Sequence, residues 1–381
     1  MEIRTGGELI PVEPQVFRLL IYLIENRDRV VSKDELVETI WRGRIVSDAT
    51  VSSRISFVRR AIGDSGRNQH AVRTIARCGF RFVANIESGE EDVTEADVRS
   101  PQKVNQTIRY CSATDGVRLA YATTGQGRAV VKTMSWLNHL EFDWESPVFR
   151  DLFQGLSARH LLMRYDSRGI GLSDWNVDDF SFPALSGDLE ASIDASGLES
   201  FALLGISQGA ALAIDYAVRH PENVTHLILW GGYSRGRNRR GLIEDQKQAE
   251  AFKTLMRSGW GKESSTFRKM FSTLYLPDAT EEQIGWWTEL QRIATTPENA
   301  VRLRETIDDI DISDRLPLVK APTLILHSQR EEVAPFPEAR RMAAQIPNAK
   351  LIPLDSANHL VLHHESAWQR AVDAILSFLD S

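Results

Sequence analysis

At 381 residues, 42% of them hydrophobic and 25% charged, the chain exceeds one ordinary core and points to two globular domains. The net charge of −7 is uneven: residues 1–87 carry 14 Lys/Arg against 11 Asp/Glu and the rest 31 against 41, so only the N-terminal end suits a polyanion. Two cysteines (Cys78 and Cys111), no basic-then-apolar leader and no apolar run near ~18 residues speak against a disulfide scaffold, a secretory signal and a membrane span, and for a soluble cytoplasmic protein.

In chain order, Gln15–Glu25 places Val16, Leu19, Leu20, Leu23 and Ile24 at helical spacing. Ser32 is the expected N-cap of a second helix, in a capping box with Glu35, and Leu36, Val37, Ile40 and Trp41 follow on it. A third helix beginning near Ser47-Asp48 carries the stripe Val51, Ile55, Val58 and Ile62 and shows Arg54, Ser56, Arg59 and Arg60 on its other faces. Residues 71–84, AVRTIARCGFRFVA, read as two strands about a turn at Cys78-Gly79. Three helices and a hairpin, with arginines on the last helix and the hairpin, predict an α+β winged helix-turn-helix domain over residues 1–87.

The opening VEPQVFRLL, the run VVSKDEL, the tryptophan closing the second helix and the hairpin T-x-x-x-x-G-F-R-F resemble the OmpR/PhoB-type winged-helix domain. The resemblance covers about residues 11–84 and implies double-stranded DNA as partner, with the third helix in the major groove and the hairpin on the neighbouring minor groove or backbone. Carried over, Arg54 and Ser56 would read base edges, and Arg59, Arg60, Thr74 and Arg77 would contact phosphate. The alternative for each arginine is a solvated charge or an ion pair inside the domain. Two departures stand out: only about ten residues precede Pro11, where the family has a small sheet, and no phosphoacceptor domain comes before the winged helix. Family members often bind repeated half-sites, which a homodimer would match.

Residues 88–106, polar and acidic, read as a linker. From residue 107 a hairpin signal at Asp115-Gly116 is followed by short apolar runs alternating with helical patterns, through 161–163, 201–204, 227–229 and 323–326 to a last helix at 368–379. That alternation predicts an α/β domain with a mostly parallel sheet. The helical interval at about 232–312 interrupts it and is expected to form a cap. Within it all, FALLGISQG (201–209) carries Gly-x-Ser-x-Gly between a strand and a helix, the context of a nucleophile elbow. There Ser207 would stand clear of the sheet edge with the Gln208 N–H beside it as an oxyanion donor.

MRYDSRGIGLSD (163–174), APTLILHSQREEVAPF and SANHLVL, in that order, resemble segments of the α/β-hydrolase fold over about residues 107–381. The resemblance implies a triad of Ser207, Glu331 and His359 in the order Ser…acid…His. His359 would take the Ser207 proton and the acid would hold the imidazole tautomer. Glu331 stands where most members have Asp, and Glu332 is the alternative acid. MSWLNHLEFDWESP (134–147) is similar to hydrolase-like modules fused to bacterial regulators and cyclases, which lack the usual His-Gly. It would supply the second oxyanion donor from Leu137 or Trp136, with Trp136, Asn138, His139 and Trp144 near the pocket mouth. Trp136, Trp144 and the cap residues Trp260, Trp286 and Trp287 are as readily core as pocket. No cofactor or metal is expected. The combined expectation is a DNA-binding transcriptional regulator whose hydrolase-like domain binds, and slowly hydrolyses or not, a small ester, lactone or related carbonyl ligand. The alternative is an active serine esterase or lactonase with an accessory DNA-binding domain.

Overall fold

Val16, Leu19, Leu20 and Leu23 lie on one side of helix α1 (Pro14–Glu25) and are buried, as their spacing requires. In the computed structural model, residues 3–5, 8–10, 14–41, 48–64, 68–75, 78–84, 106–260 and 266–381 are described, and the chain divides into two compact units, Met1–Val98 and Arg99–Ser381. The expected linker, residues 88–106, lies outside the described residues except for Gln106.

In the first unit, strands β1 (Ile3–Thr5) and β2 (Glu8–Ile10) pair antiparallel ahead of α1, a two-stranded sheet within the short stretch before Pro11. Helices α2 (Lys33–Trp41) and α3 (Asp48–Ala61) follow, then an antiparallel wing of β3 (Val72–Ile75) and β4 (Gly79–Phe82). Ser32 Oγ accepts the Glu35 N–H at 3.1 Å and starts α2, while the Glu35 carboxylate meets Arg29 and the Tyr22 hydroxyl. Leu36, Val51, Ile55, Val58, Phe80 and Phe82 close the core over α1. Val31 and Phe80 exchange both backbone hydrogen bonds at 2.9 Å, which ties the wing to the segment entering α2. Gly79 permits that approach: its φ is +146°, and a Cβ there would sit 2.0 Å from the Val31 carbonyl oxygen.

The second unit is built on one eight-stranded sheet. Its strands are β5 (Thr107–Ser112), β6 (Arg118–Thr124), β7 (Ala129–Lys132), β8 (Leu161–Asp166), β9 (Phe201–Ile206), β10 (Val224–Trp230), β11 (Thr323–Ser328) and β12 (Ala349–Leu354). They lie in the order β12-β11-β10-β9-β7-β8-β6-β5, parallel except at β6, which runs antiparallel to both β5 and β8. Helices α4 (Leu140–Trp144), α5 (Arg150–Ser157), α6 (Phe182–Ser196), α7 (Gly209–Arg219), α12 (Phe336–Gln345) and α13 (Ser366–Leu379) connect or follow the strands. Between β10 and β11 the chain runs through α8 (Ile243–Gly259), α9 (Thr266–Tyr275), α10 (Glu281–Ala294) and α11 (Pro297–Asp309), the interval expected as the cap. Every residue of β7, β9 and β11 is buried, the pattern of parallel strands covered on both faces. Each fully buried leucine there contributes roughly 1.5–3 kcal/mol. Edge strand β12 has no counterpart among the expected elements: it is half-exposed and contains Pro353, a residue that only an edge tolerates. Among the described residues no helix is long and apolar enough to cross a membrane.

Candidate functional site

The sheet places three chain ends side by side. Ser207 follows β9, Glu331 follows β11 and His359 follows β12, all at the C-terminal edge where open α/β sheets hold their sites. Ser207 has φ +56°, a left-handed conformation unusual for a residue with a side chain and one held only when the surroundings enforce it. The flanking glycines are enforced as well. A Cβ on Gly205 would sit 2.6 Å from Ala210 Cα, and one on Gly209 would sit 2.2 Å from the Met134 carbonyl oxygen. The turn is fixed from both sides, by the Ser207 N–H on the Trp230 carbonyl (3.0 Å) and by the Ala210 N–H on the Ser207 carbonyl (3.0 Å).

Glu331 and His359 meet at 2.8 Å, between Oε2 and Nδ1. The same oxygen accepts the backbone N–H groups of Val333 (3.2 Å) and Ala334 (3.0 Å). His327, which sequence reasoning overlooked, brings its Nε2 to 2.9 Å from Glu331 Oε1 and 2.7 Å from the Ala334 carbonyl. Its signal was its place four residues before the acid, at the buried end of β11. Burial by itself would raise the Glu331 pKa, but His359 and His327 outweigh it and hold the carboxyl at about 2, ionised at neutral pH. Glu332, the alternative acid, is exposed. His359 is fixed further by its N–H on the Tyr275 carbonyl (2.8 Å), and its Nε2 is buried without a protein partner. A serine on a strained turn, an imidazole oriented through Nδ1 by a carboxylate, and a second ring nitrogen left open are the parts that acyl transfer requires.

Among the described residues, the backbone N–H groups of Leu137, Trp136 and Gln208 have no protein acceptor. The loop that carries the first two rests on a buried quartet of charges: Lys132, Asp143, Arg164 and Asp166. Lys132 Nζ donates to the Thr133 carbonyl (3.1 Å) and Ser135 Oγ (3.0 Å). Burial lowers the Lys132 pKa to about 8 and raises that of Asp143 to about 7, each partly offset by the opposite charges in the quartet. Asn138 and His139, expected at the pocket mouth, instead serve this loop. Asn138 Nδ2 bonds Asp166 and the Tyr165 carbonyl (3.1 Å), and His139 caps α4 by accepting the Phe142 N–H. Trp144 packs beneath Arg164. Trp136 alone of those four joins the cap aromatics, 5.5 Å from the Trp260 ring and 5.6 Å from Tyr275, whose own ring stands edge-on to His359 at 5.6 Å. Trp287 stacks on Tyr275, and Trp286 lies farther out against Phe142.

On the first unit, Ser56, Arg60 and Thr74 are exposed and Arg54 is half-exposed, while Arg77 lies outside the described residues. Arg59 departs from expectation. It is buried, and its guanidinium bonds the Val72 carbonyl (3.0 and 2.7 Å) and Thr74 Oγ1 (2.8 Å), fastening α3 to the wing rather than facing a phosphate. Arg73 and Arg81, directly paired across the wing, are exposed cations beyond those expected at the DNA. Phe57 is exposed on α3 with the Arg54 and Arg60 guanidinium groups over its ring.

Residues 7–82 match the family described as transcriptional regulatory protein, C terminal, and residues 142–366 match the alpha/beta hydrolase fold family. The AB hydrolase superfamily protein YisY of Bacillus subtilis is 27% identical over 276 residues, covering 67% of this chain and 94% of that protein. The transcriptional activator CadC of Escherichia coli is 26% identical over 109 residues, 28% of this chain and 21% of its own length. An esterase from Exiguobacterium antarcticum shares the fold, with a TM-score of 0.62 at 22% identity over 71% of this chain and 99% of that one. With more than half of its length in the second family match, the chain belongs to the alpha/beta hydrolase fold family, preceded by a DNA-binding domain of the OmpR/PhoB-type transcriptional regulators.

Proposed function

We propose that this protein is a transcriptional regulator whose hydrolase-fold domain binds a small carbonyl compound at Ser207, and that occupancy of this site controls DNA binding by the winged helix. The observation that carries the reading is the Glu331–His359 bond of 2.8 Å beside a serine on a left-handed turn, in one chain with a DNA-binding domain. His359 removes the Ser207 proton as Oγ attacks the carbonyl carbon, Glu331 stabilises the resulting imidazolium, and the Gln208 and Leu137 N–H groups receive the oxyanion. Arg54, Ser56, Arg60 and Thr74 meet the DNA, with Arg54 and Ser56 at base edges. Ligand that binds one conformational state better than another shifts the DNA-competent population by its differential affinity.

The second reading, an esterase or lactonase with an accessory DNA-binding domain, draws on the same triad geometry. One experiment separates the two. Binding of the full-length protein to its own promoter DNA is measured at two salt concentrations, with and without p-nitrophenyl butyrate, beside hydrolysis of that ester by wild type and Ser207→Ala. Specific, salt-sensitive binding that shifts with ester supports the regulator. Brisk Ser207-dependent turnover, with DNA affinity indifferent to ester and to Arg54→Ala, leaves only the enzyme.

A further inference from the structure

Four arginines fall within residues 235–240, on the segment that leaves β10 for the cap. Three of them have polar protein partners: Arg235 on Glu338, Arg239 on the Asp309 carbonyl and Arg240 on the Arg235 carbonyl. Arg237 is the buried one, 4% exposed, and among the described residues it has neither a carboxylate within 4 Å nor any hydrogen-bond acceptor, with Nη1 fully enclosed. Phe252 covers one face of its guanidinium at 4.6 Å. A ring face attracts the cation, but the five N–H donors lie in the guanidinium plane and a π-face leaves them unanswered.

The second buried cation nearby, Arg304, is already matched. Its guanidinium is bidentate to Asp308 (Nε–Oδ2 3.1 Å), reaches the Tyr275 hydroxyl at 3.5 Å and lies over the Trp136 ring. Asp308 therefore neutralises Arg304, and Arg237 is left without a carboxylate partner of its own among the described residues. Burial first, and Arg304 second, lower the Arg237 pKa to about 10, which still leaves it charged at neutral pH. Arg237 joins this cluster through Phe252, which packs on Phe271 at 5.3 Å as Phe271 does on Trp136 at 6.3 Å, and Tyr275 links Arg304 to the His359 ring. Two indoles of the same aromatic cluster add donors that no protein atom answers. Trp136 Nε1 and Trp260 Nε1 are buried donors without acceptors, and neither Trp nor Arg can accept. A bound molecule must bring the acceptors, and a charged one answers Arg237 best.

We propose that the interior site beside His359 takes a ligand bearing a carboxylate, received by Arg237, together with the carbonyl group that faces Ser207. This rests on the reading that Ser207 and His359 form a site for a small carbonyl compound.

The test uses full-length protein in a Ser207→Ala background, so that nothing turns over, and follows tryptophan fluorescence. The probes are monomethyl adipate, which carries one carboxylate, and dimethyl adipate, which carries none. Expected is about ten- to a hundredfold tighter binding of the monomethyl ester. Arg237→Gln brings the ratio near one, and Arg237→Lys restores part of the preference. Equal or tighter binding of the dimethyl ester overturns the proposal by itself, even if Arg237→Gln fails to fold. So does a preference that survives in a folded Arg237→Gln. If dimethyl adipate binds, and wild type hydrolyses it through Ser207 without any preference for the monoester, the carboxylate falls and the site reading stands. If neither ester binds or is hydrolysed, both fall.

Discussion

Glu331 Oε2 receives three donors at once: His359 Nδ1 at 2.8 Å and the backbone N–H groups of Val333 and Ala334. Held from three sides, the longer glutamate side chain reaches the imidazole as an aspartate would from a different backbone position. Glu331→Gln removes the charge and leaves the shape, so Ser207-dependent ester hydrolysis should fall about a thousandfold or more. Glu331→Asp withdraws the carboxylate by about one bond, ~1.5 Å, and should lose most of that activity too. Steady-state kinetics with a p-nitrophenyl ester decide it: a Gln variant with near wild-type kcat would remove Glu331 from the triad.

The same carboxylate makes stability depend on pH. Its folded pKa, about 2, lies below the ordinary 4.5, so the stabilisation is fully present above about pH 4.5 and is lost as pH falls toward 2. The contribution is on the order of a few kcal/mol. Urea melts from pH 7 to pH 3 should show the gap between wild type and Glu331→Gln shrinking below pH 4.5, and a constant gap would contradict the assignment.

Gly209 separates the elbow from the oxyanion loop by bare backbone. Gly209→Ala puts a methyl 2.2 Å from the Met134 carbonyl, against main chain that cannot rotate away. Overpacking of this kind costs typically about 1–3 kcal/mol, and here the displaced loop also carries the Leu137 N–H proposed to receive the oxyanion. The variant should melt lower and lose kcat more than KM, whereas loss of stability with unchanged kcat would show that the loop yields without moving its donor.

Beneath that loop two buried cations face two buried anions. Lys132→Met leaves the acids in excess and should destabilise the domain by about 3–5 kcal/mol. Denaturant melts of Lys132→Met and of Lys132→Met/Asp143→Leu test the account, the double variant recovering part of the loss.

On the winged helix, Arg59→Ala should lower the melting temperature of the domain, because its bonds to Val72 and Thr74 are internal and worth roughly 1–3 kcal/mol together. Arg60→Ala should leave melting unchanged and reduce the salt slope of DNA binding by about one. Exchanged outcomes would mean that Arg59 turns outward on DNA.

The winged helix, the parallel sheet and the elbow were legible because each rests on local rules: the apolar stripes of α1 and α3, the buried run of β9, and two glycines around a serine. Arg59 was not, since it stands one residue after Val58 and four after Ile55, at the margin of the buried stripe, where a long side chain can fold inward or outward. The bonds of Asn138 and His139 were not legible for a related reason. Their loop position was readable, but the partners that draw them inward, Asp166 and the Phe142 N–H, depend on how the chain returns from β8 and enters α4. Arg237 was invisible because an arginine in a basic run reads as surface, and only the packing of Phe252 and the α11 terminus encloses it.

Gly231 and Gly232 leave β10 between Ser207 and His359. A Cβ on Gly231 would meet the His359 carbonyl at 3.0 Å and its ring at 3.3 Å, and one on Gly232 would meet Ala210 Cβ at 2.3 Å and the Ser207 carbonyl at 3.5 Å. The gap between Ser207 and His359 is thus gauged by the thickness of naked main chain, a shim without rotamers. The same dipeptide is the first link of the chain that leaves β10 for helices α8–α11.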